Sequence, residues 1–242
     1  MSHVAAEPAG KPSSSPRRSR SRLTTARRFA GAVLSTSGVL LVADAGLTLA
    51  WQEPVSALMA SRAQSSLRAD LPAEIRQVRR DQRELDGGGD LRAQRVALAG
   101  RARQRARTGT GIGEIRLPTL GRRYALAQGT DGTSLRKGPG HYPRTAFPGE
   151  GRTIGIAGHR TTYGAPFRTI DRLRPADPIV LEMPYGYFTY RVERTRIVPP
   201  SATWVVRDVS GAERLVLTAC HPLYSAAQRI VVFARLSSAE PS

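Results

Sequence analysis

The sequence predicts a mainly β protein: an eight-stranded β-barrel with short helices, preceded by a helical stalk and one transmembrane helix. Three observations carry this. Eight short β-rich runs alternate with Gly and Pro turns over residues 111–238. Residues 52–110 are polar, rich in arginine and spaced like a helix. Residues 29–51 form one long apolar run behind a block of arginines.

The first 28 residues hold seven basic side chains against the single acid Glu7, among Pro8, Pro12, Pro16 and Ser13–Ser15. Such a stretch has too little apolar surface to fold and is expected to be a disordered cytoplasmic tail. Phe29–Trp51 follows. As a helix it reaches about 33 Å, the thickness of a bilayer's hydrocarbon core. Trp51 suits the interface, and the arginines before the span keep the N-terminus inside. Asp44 lies toward the outer end, where its carboxyl reaches the interface. The small residues around Asp44 leave a cleaved signal peptide as the rival reading.

In the stalk, Leu58, Leu67, Leu71, Ile75, Val78 and Leu85 recur at roughly helical spacing. Pro72 is expected to break or kink the helix, and Gly87-Gly88-Gly89 to end it, giving two loosely packed helical segments. From Gly111 the candidate strands are Ile112–Leu117, Arg123–Ala127, Thr153–Ala157, Pro178–Met183, Tyr187–Val198, Thr203–Arg207, Arg214–Thr218 and Arg229–Leu236. Short helices are predicted at Asp131–Arg136 and Pro166–Leu173.

A net charge of +18 suggests an anionic partner. Its distribution points to a membrane surface, and no nucleic-acid partner is expected. The tail is lopsided, whereas residues 52–107 carry 12 basic and 7 acidic side chains and residues 108–242 carry 18 and 10. One cysteine, Cys220, excludes an internal disulfide. It is either a small buried apolar group or a reactive thiol, and an outward-facing free thiol calls for an explanation.

The local context favours reactivity. The apolar run Leu215-Val216-Leu217-Thr218-Ala219 delivers Cys220 to a strand end, Pro222 stops the strand, and Arg229 opens the next one. A guanidinium there would stabilise an oxyanion formed at the thiol. A cysteine nucleophile also needs an acid/base group. His3 lies in the tail, and His221 should face away from its neighbour Cys220. His159 ends the run Thr153–Gly158 and is the first candidate; His141, in a turn-rich segment, is the second.

These residues complete a resemblance to the sortases, and specifically to class E, over residues 111–236. It rests on Gly138-Pro139-Gly140-His141-Tyr142-Pro143, on Ile156-Ala157-Gly158-His159-Arg160-Thr161-Thr162-Tyr163-Gly164-Ala165-Pro166-Phe167, on Ile170-Asp171-Arg172-Leu173-Arg174-Pro175, and on Cys220-His221-Pro222 followed by Arg229. The sequence departs from the family at Ala219 and Val216, where threonines are frequent.

The resemblance implies a sortase-type barrel and a His159–Cys220–Arg229 constellation, with Tyr163, Thr218 and His141 lining the substrate site. It implies cleavage of a Leu-Ala-x-Thr-Gly-like signal between Thr and Gly, and transfer through a thioester to a peptidoglycan precursor amine. The partners would be secreted proteins carrying that signal at the C-terminus. No cofactor or metal is expected. The catalytic domain would sit outside a single-pass membrane anchor. A pilin-polymerising sortase, another cell-wall transpeptidase and a non-enzymatic basic membrane protein that binds anionic polymers are the rival readings. The Asp-Pro-aromatic lid of the first and the Ser-x-Gly-Cys context of the second are absent from the sequence.

Overall fold

The computed structural model describes residues 38–39, 58–85 and 90–242. The expected tail over 1–28 and almost all of the expected span over 29–51 lie outside the described residues. Among the described residues, no helix is long and apolar enough to cross a membrane. Residues 53–242 form one compact unit.

Helix α1 covers residues 58–85 and α2 covers Leu91–Arg105. The strands are β1 (Gly111–Leu117), β2 (Arg122–Gln128), β3 (Gly140–His141), β4 (Thr153–Ala157), β5 (Pro178–Met183), β6 (Gly186–Val198), β7 (Arg214–His221) and β8 (Gln228–Glu240), with α3 (Gly132–Lys137) between β2 and β3. They close a barrel in the order β1-β2-β3-β4-β7-β8-β6-β5. Two neighbouring pairs, β2–β3 and β4–β7, run parallel.

The barrel core explains the strand sequences. Ile154, Ile156, Leu215, Leu217, Ala219, Ile230 and Val232 point inward and are almost fully buried. The other face of β7 and β8 is also covered. Val216, Val231 and Phe233 pack outside the barrel against Val198, Ala202 and Val205. This corrects the predicted strand at Thr203–Arg207. Thr203–Val206 is a 3-10 turn that lays Val205 on that outer face and stacks Trp204 on Phe233 at 6.5 Å between ring centroids. A β-prone sequence here serves as a lid on the sheet, because the apolar surface it covers lies outside the barrel.

The eighth strand is β3, which is only two residues long. It sits between β2 and β4, pairing Gln128↔His141 and His141↔Ile156. The predicted helix at Pro166–Leu173 is a second correction. Only Ile170–Arg172 is helical, as a 3-10 turn.

The stalk expectation is corrected most. Helix α1 runs through Pro72 without interruption, and it is docked on the barrel. An internal proline costs about 3 kcal/mol, so contacts on both sides must outweigh it. Leu67 and Val78 are fully buried. The Asp70 carboxylate accepts from the Gly111 N–H at 2.7 Å. A Cβ at Gly111 would collide with the Leu67 carbonyl, so glycine is what lets the helix lie on β1.

Gln64 has a specific task. Strand β3 is too short to cover β2 at Ala125. The Gln64 amide covers it instead, accepting from Ala125 N–H at 2.7 Å and donating to Ala125 O at 3.2 Å and Lys137 O at 2.8 Å. One side chain thus substitutes for a missing strand at an exposed edge. Asp81, 3% exposed, receives Arg101 and Arg105 from α2 and fastens the two helices together. The helix face is therefore part polar, which is why counting apolar residues understates its packing.

Candidate functional site

The barrel's pairing determines which side chains meet. Strand β4 runs parallel to β7 in a register ending at Ala157↔Thr218. The next residue continues the pairing: Gly158 N–H donates to Thr218 O at 3.0 Å. His159 and Cys220 each lie two residues beyond that last pair, so they leave the same end of adjacent strands with the same side-chain parity. Across β7–β8, Cys220 stands directly opposite Arg229. All three residues are half-buried at the end of a rigid sheet. Arg229 is steadied by its own loop, with Nη1 donating to the carbonyls of Ala226 and Gln228 at 2.9 Å each.

The segment after His159 is held tightly. Phe167 is fully buried, and its N–H donates to His159 O at 2.9 Å. Its ring lies so close to Gly158 that a Cβ there would meet it at 2.5 Å. Tyr163, Gly164 and Ala165 all have positive φ, at 52°, 74° and 42°. Two of them are not glycine, so the turn is locally strained and is maintained by its surroundings. It carries the Tyr163 ring to 5.0 Å from the His159 ring, and the Arg136 guanidinium of α3 lies 5.6 Å from the Tyr163 centroid. The first turn of α1 flanks this segment: a Cβ at Gly164 would approach the Ala60 Cβ at 3.0 Å.

Burial lowers the His159 pKa below its ordinary value, and the nearby Arg136 charge lowers it further. Both disfavour the imidazolium.

The remaining candidates sit deeper. Thr218 is 5% exposed, and its hydroxyl lies 2.8 Å from the Tyr142 hydroxyl. His141 is 1% exposed. Its ring nitrogens lie 2.9 Å from the Gln128 amide oxygen and 2.9 Å from Ala146 O. Burial drives its pKa down to about 4, helped by the Arg103 charge. The strand register thus sets His159, Cys220 and Arg229 at the same end of the barrel with Tyr163 beside His159, whereas His141 and Thr218 are buried. Among the described residues, no group of three His, Cys, Asp or Glu side chains comes together in a way that could hold a metal.

Sequence reasoning missed Arg136, Tyr142 and Arg160. Arg160 is the most informative of these. It is 3% exposed and reaches from the His159 loop to the Cys220 strand. An arginine next to a candidate histidine would ordinarily be placed on the surface, so only its position beside His159 hinted at it.

The sortase domain family matches residues 115–237, just over half of the chain. The chain belongs to the sortase family. Among its relatives, Sortase D of Bacillus subtilis is 32% identical over 131 residues, covering 53% of this chain and 65% of the relative. Sortase SrtE1 of Streptomyces coelicolor is 32% identical over 148 residues, covering 55% of this chain and 42% of the relative. The chain thus covers less than two thirds of either relative's length. Among solved structures, Sortase E1 from Streptomyces coelicolor with a tripeptide in its active site is 30% identical at a TM-score of 0.51, covering 56% of this chain and 94% of that one. The SrtF sortase from Corynebacterium diphtheriae is 26% identical at a TM-score of 0.53, covering 57% and 89%. Class E proteins are therefore among the relatives of this sortase, in both sequence and structure.

Proposed function

We propose that this sortase is a membrane-anchored cysteine transpeptidase. It cleaves a Leu-Ala-x-Thr-Gly-like sorting signal between Thr and Gly and joins the protein to a cell-wall amine. The observation that supports this most is the register that sets Cys220 opposite Arg229, with His159 leaving the neighbouring strand at the same level.

The chemistry follows from these groups. The Cys220 thiolate attacks the threonine carbonyl carbon, and the oxygen takes up the electron pair. The Nη1 bonds of Arg229 to its own loop leave Nη2 and Nε for that oxyanion. The C–N bond breaks as the His159 imidazolium protonates the leaving glycine amine, leaving a thioester on Cys220. An incoming amine then attacks the thioester, loses a proton to His159 and releases the thiolate. The tripeptide in the active site of the similar Streptomyces coelicolor enzyme supports a peptide substrate. The anchor reading rests on the apolar run Phe29–Trp51 behind its arginines.

The test is to incubate the full chain with a labelled Leu-Ala-x-Thr-Gly peptide and an amine acceptor, and to follow the protein by mass spectrometry. An acyl adduct on Cys220 and a transpeptidation product are expected. Product formation by Cys220→Ala would overturn the reading.

A further inference from the structure

Arg160 follows His159 at a bend beyond β4, and it is almost fully buried where His159 is half-buried. Its side chain is buried between three segments. Nε and Nη2 donate to Arg168 O at 3.3 and 3.1 Å. Nη2 also pairs with the Asp171 carboxylate at 3.1 Å, at the half-exposed rim. Nη1 reaches the other strand, donating to Cys220 O at 3.5 Å and to His221 Nδ1 at 3.2 Å. A guanidinium can only donate. The His221 Nδ1 must therefore accept, which puts that ring's proton on Nε2.

We propose that Arg160 is a positioning residue for acyl transfer, clamping the Cys220–His221 strand end to the His159–Asp171 segment through one buried guanidinium. The inference rests on the reading of Cys220 as nucleophile and His159 as its acid/base partner.

Beyond β7, Pro222, Leu223 and Tyr224 are exposed, and their tie to the Arg168 segment is a surface one, with Arg168 Nη2 donating to the Tyr224 hydroxyl at 3.2 Å. Arg160 supplies a tie at the level of Cys220 itself. The same guanidinium holds Arg168 O, on the far side of the strained turn that carries Tyr163. One side chain therefore fixes both partners of the proposed proton transfer. A buried cation kept only for stability could be replaced by an apolar side chain of similar volume at little cost. A clamp cannot, since a displacement of about 1 Å between reacting groups can cost about a hundredfold in rate. Lysine keeps the charge but is a single point donor and cannot span both segments.

The test compares full-length wild type, Arg160→Met, Arg160→Lys and Asp171→Asn. For each, kcat and KM are measured with the labelled peptide, the rate of Cys220 alkylation by iodoacetamide is recorded, and the folded fraction is measured by circular dichroism. For Arg160→Met, kcat per folded enzyme should fall about tenfold or more with KM within about twofold. Arg160→Lys should recover part of that loss. Asp171→Asn, which removes only the rim contact, should fold like wild type and lose less than Arg160→Met. If Arg160→Met does not fold, Arg160→Lys carries the test, with a reduced kcat and slower alkylation expected at normal folded fraction. A folded Arg160 variant with wild-type kcat and alkylation, or a loss that tracks folded fraction alone, overturns the proposal. Turnover by Cys220→Ala would instead signal failure of the underlying reading.

Discussion

Cys220 faces Arg229 directly across the antiparallel pair β7–β8, so a thiol and a guanidinium share one rung of the ladder at the barrel's end. Neither depends on a long loop for its placement. This pairing converts a nine-residue separation in sequence into adjacency.

The first prediction concerns that rung. Arg229→Lys keeps the charge but loses the planar fork that can hold an oxyanion while still bonding Ala226 and Gln228. The loss in kcat should be about a hundredfold, as for removal of one oxyanion donor elsewhere. Pre-steady-state measurement of acyl-enzyme formation checks it; an unchanged acylation rate would remove Arg229 from that role.

A second prediction follows from the depressed pKa of His159. The Arg136 charge on α3 acts on its ring, and Tyr163 in its own loop lies beside it. Because the mechanism needs the His159 imidazolium as acid, its pKa sets the alkaline limb of the kcat/KM profile, and that limb should lie below the ordinary histidine value of 6.5. Arg136→Gln removes a cation that repels the imidazolium, so it should move that limb toward neutral pH. A limb that stays in place in Arg136→Gln would show that the charge does not act there.

His141 makes the third, on stability. Its pKa is lowered from 6.5 to about 4 in the folded protein. Between these values the unfolded chain binds the proton that the folded chain refuses. The contribution is therefore complete above about 6.5 and is lost as pH falls toward 4. The shift corresponds to about 3 kcal/mol. Denaturant unfolding at pH 7 and 4.5 should show a steeper acid loss for wild type than for His141→Gln. Parallel losses would argue against it.

Packing of α1 supplies the fourth. Leu67→Ala empties a fully buried position against β2 and should cost about 2–5 kcal/mol. A chain starting at residue 111 would lose Gln64 as well, exposing the unpaired backbone of Ala125. It should aggregate or unfold, whereas a chain starting near residue 53 should fold. Urea melts and size-exclusion chromatography decide between these outcomes.

The fifth concerns Tyr163, a residue 42% exposed whose ring lies beside that of His159. If it narrows the pocket for the residue before x, wild type should prefer Leu-Ala-x-Thr-Gly over Leu-Pro-x-Thr-Gly peptides. Tyr163→Ala should then lose roughly ten- to a hundredfold in kcat/KM for the Ala peptide and most of the preference. An unchanged ratio would take Tyr163 out of the pocket.

How far the sequence could be read depended on where each residue's contacts lie. Thr153–Ala157 and Pro178–Met183 are legible to the residue because β-branched and apolar side chains there are bounded by turn residues. Strand β3 is not legible, since two residues within Gly-Pro-Gly-His-Tyr-Pro become a strand only by lying between β2 and β4. Thr203–Val206 has strand-like composition, and only the outer face of β7 and β8 explains its 3-10 form. Pro72 carries a true local penalty that distant contacts override. In the site, the positions of Cys220 near the end of β7, of His159 just past β4 and of Arg229 near the start of β8 are readable from the apolar runs beside them. The burial of Arg160, Thr218 and His141 is not, because polar residues become interior only through partners far away in the chain.

The approach of Ala60 to Gly164 carries a consequence for sequence drift. A larger side chain at position 60 would press on the backbone of the left-handed turn next to Tyr163, and a side chain at position 164 would press back on the helix. The two sites lie about a hundred residues apart in the chain yet occupy one shared volume. Substitutions at position 60 are therefore constrained by the loop as much as by the helix that contains it. Among divergent descendants of this chain, the two positions should change together or not at all.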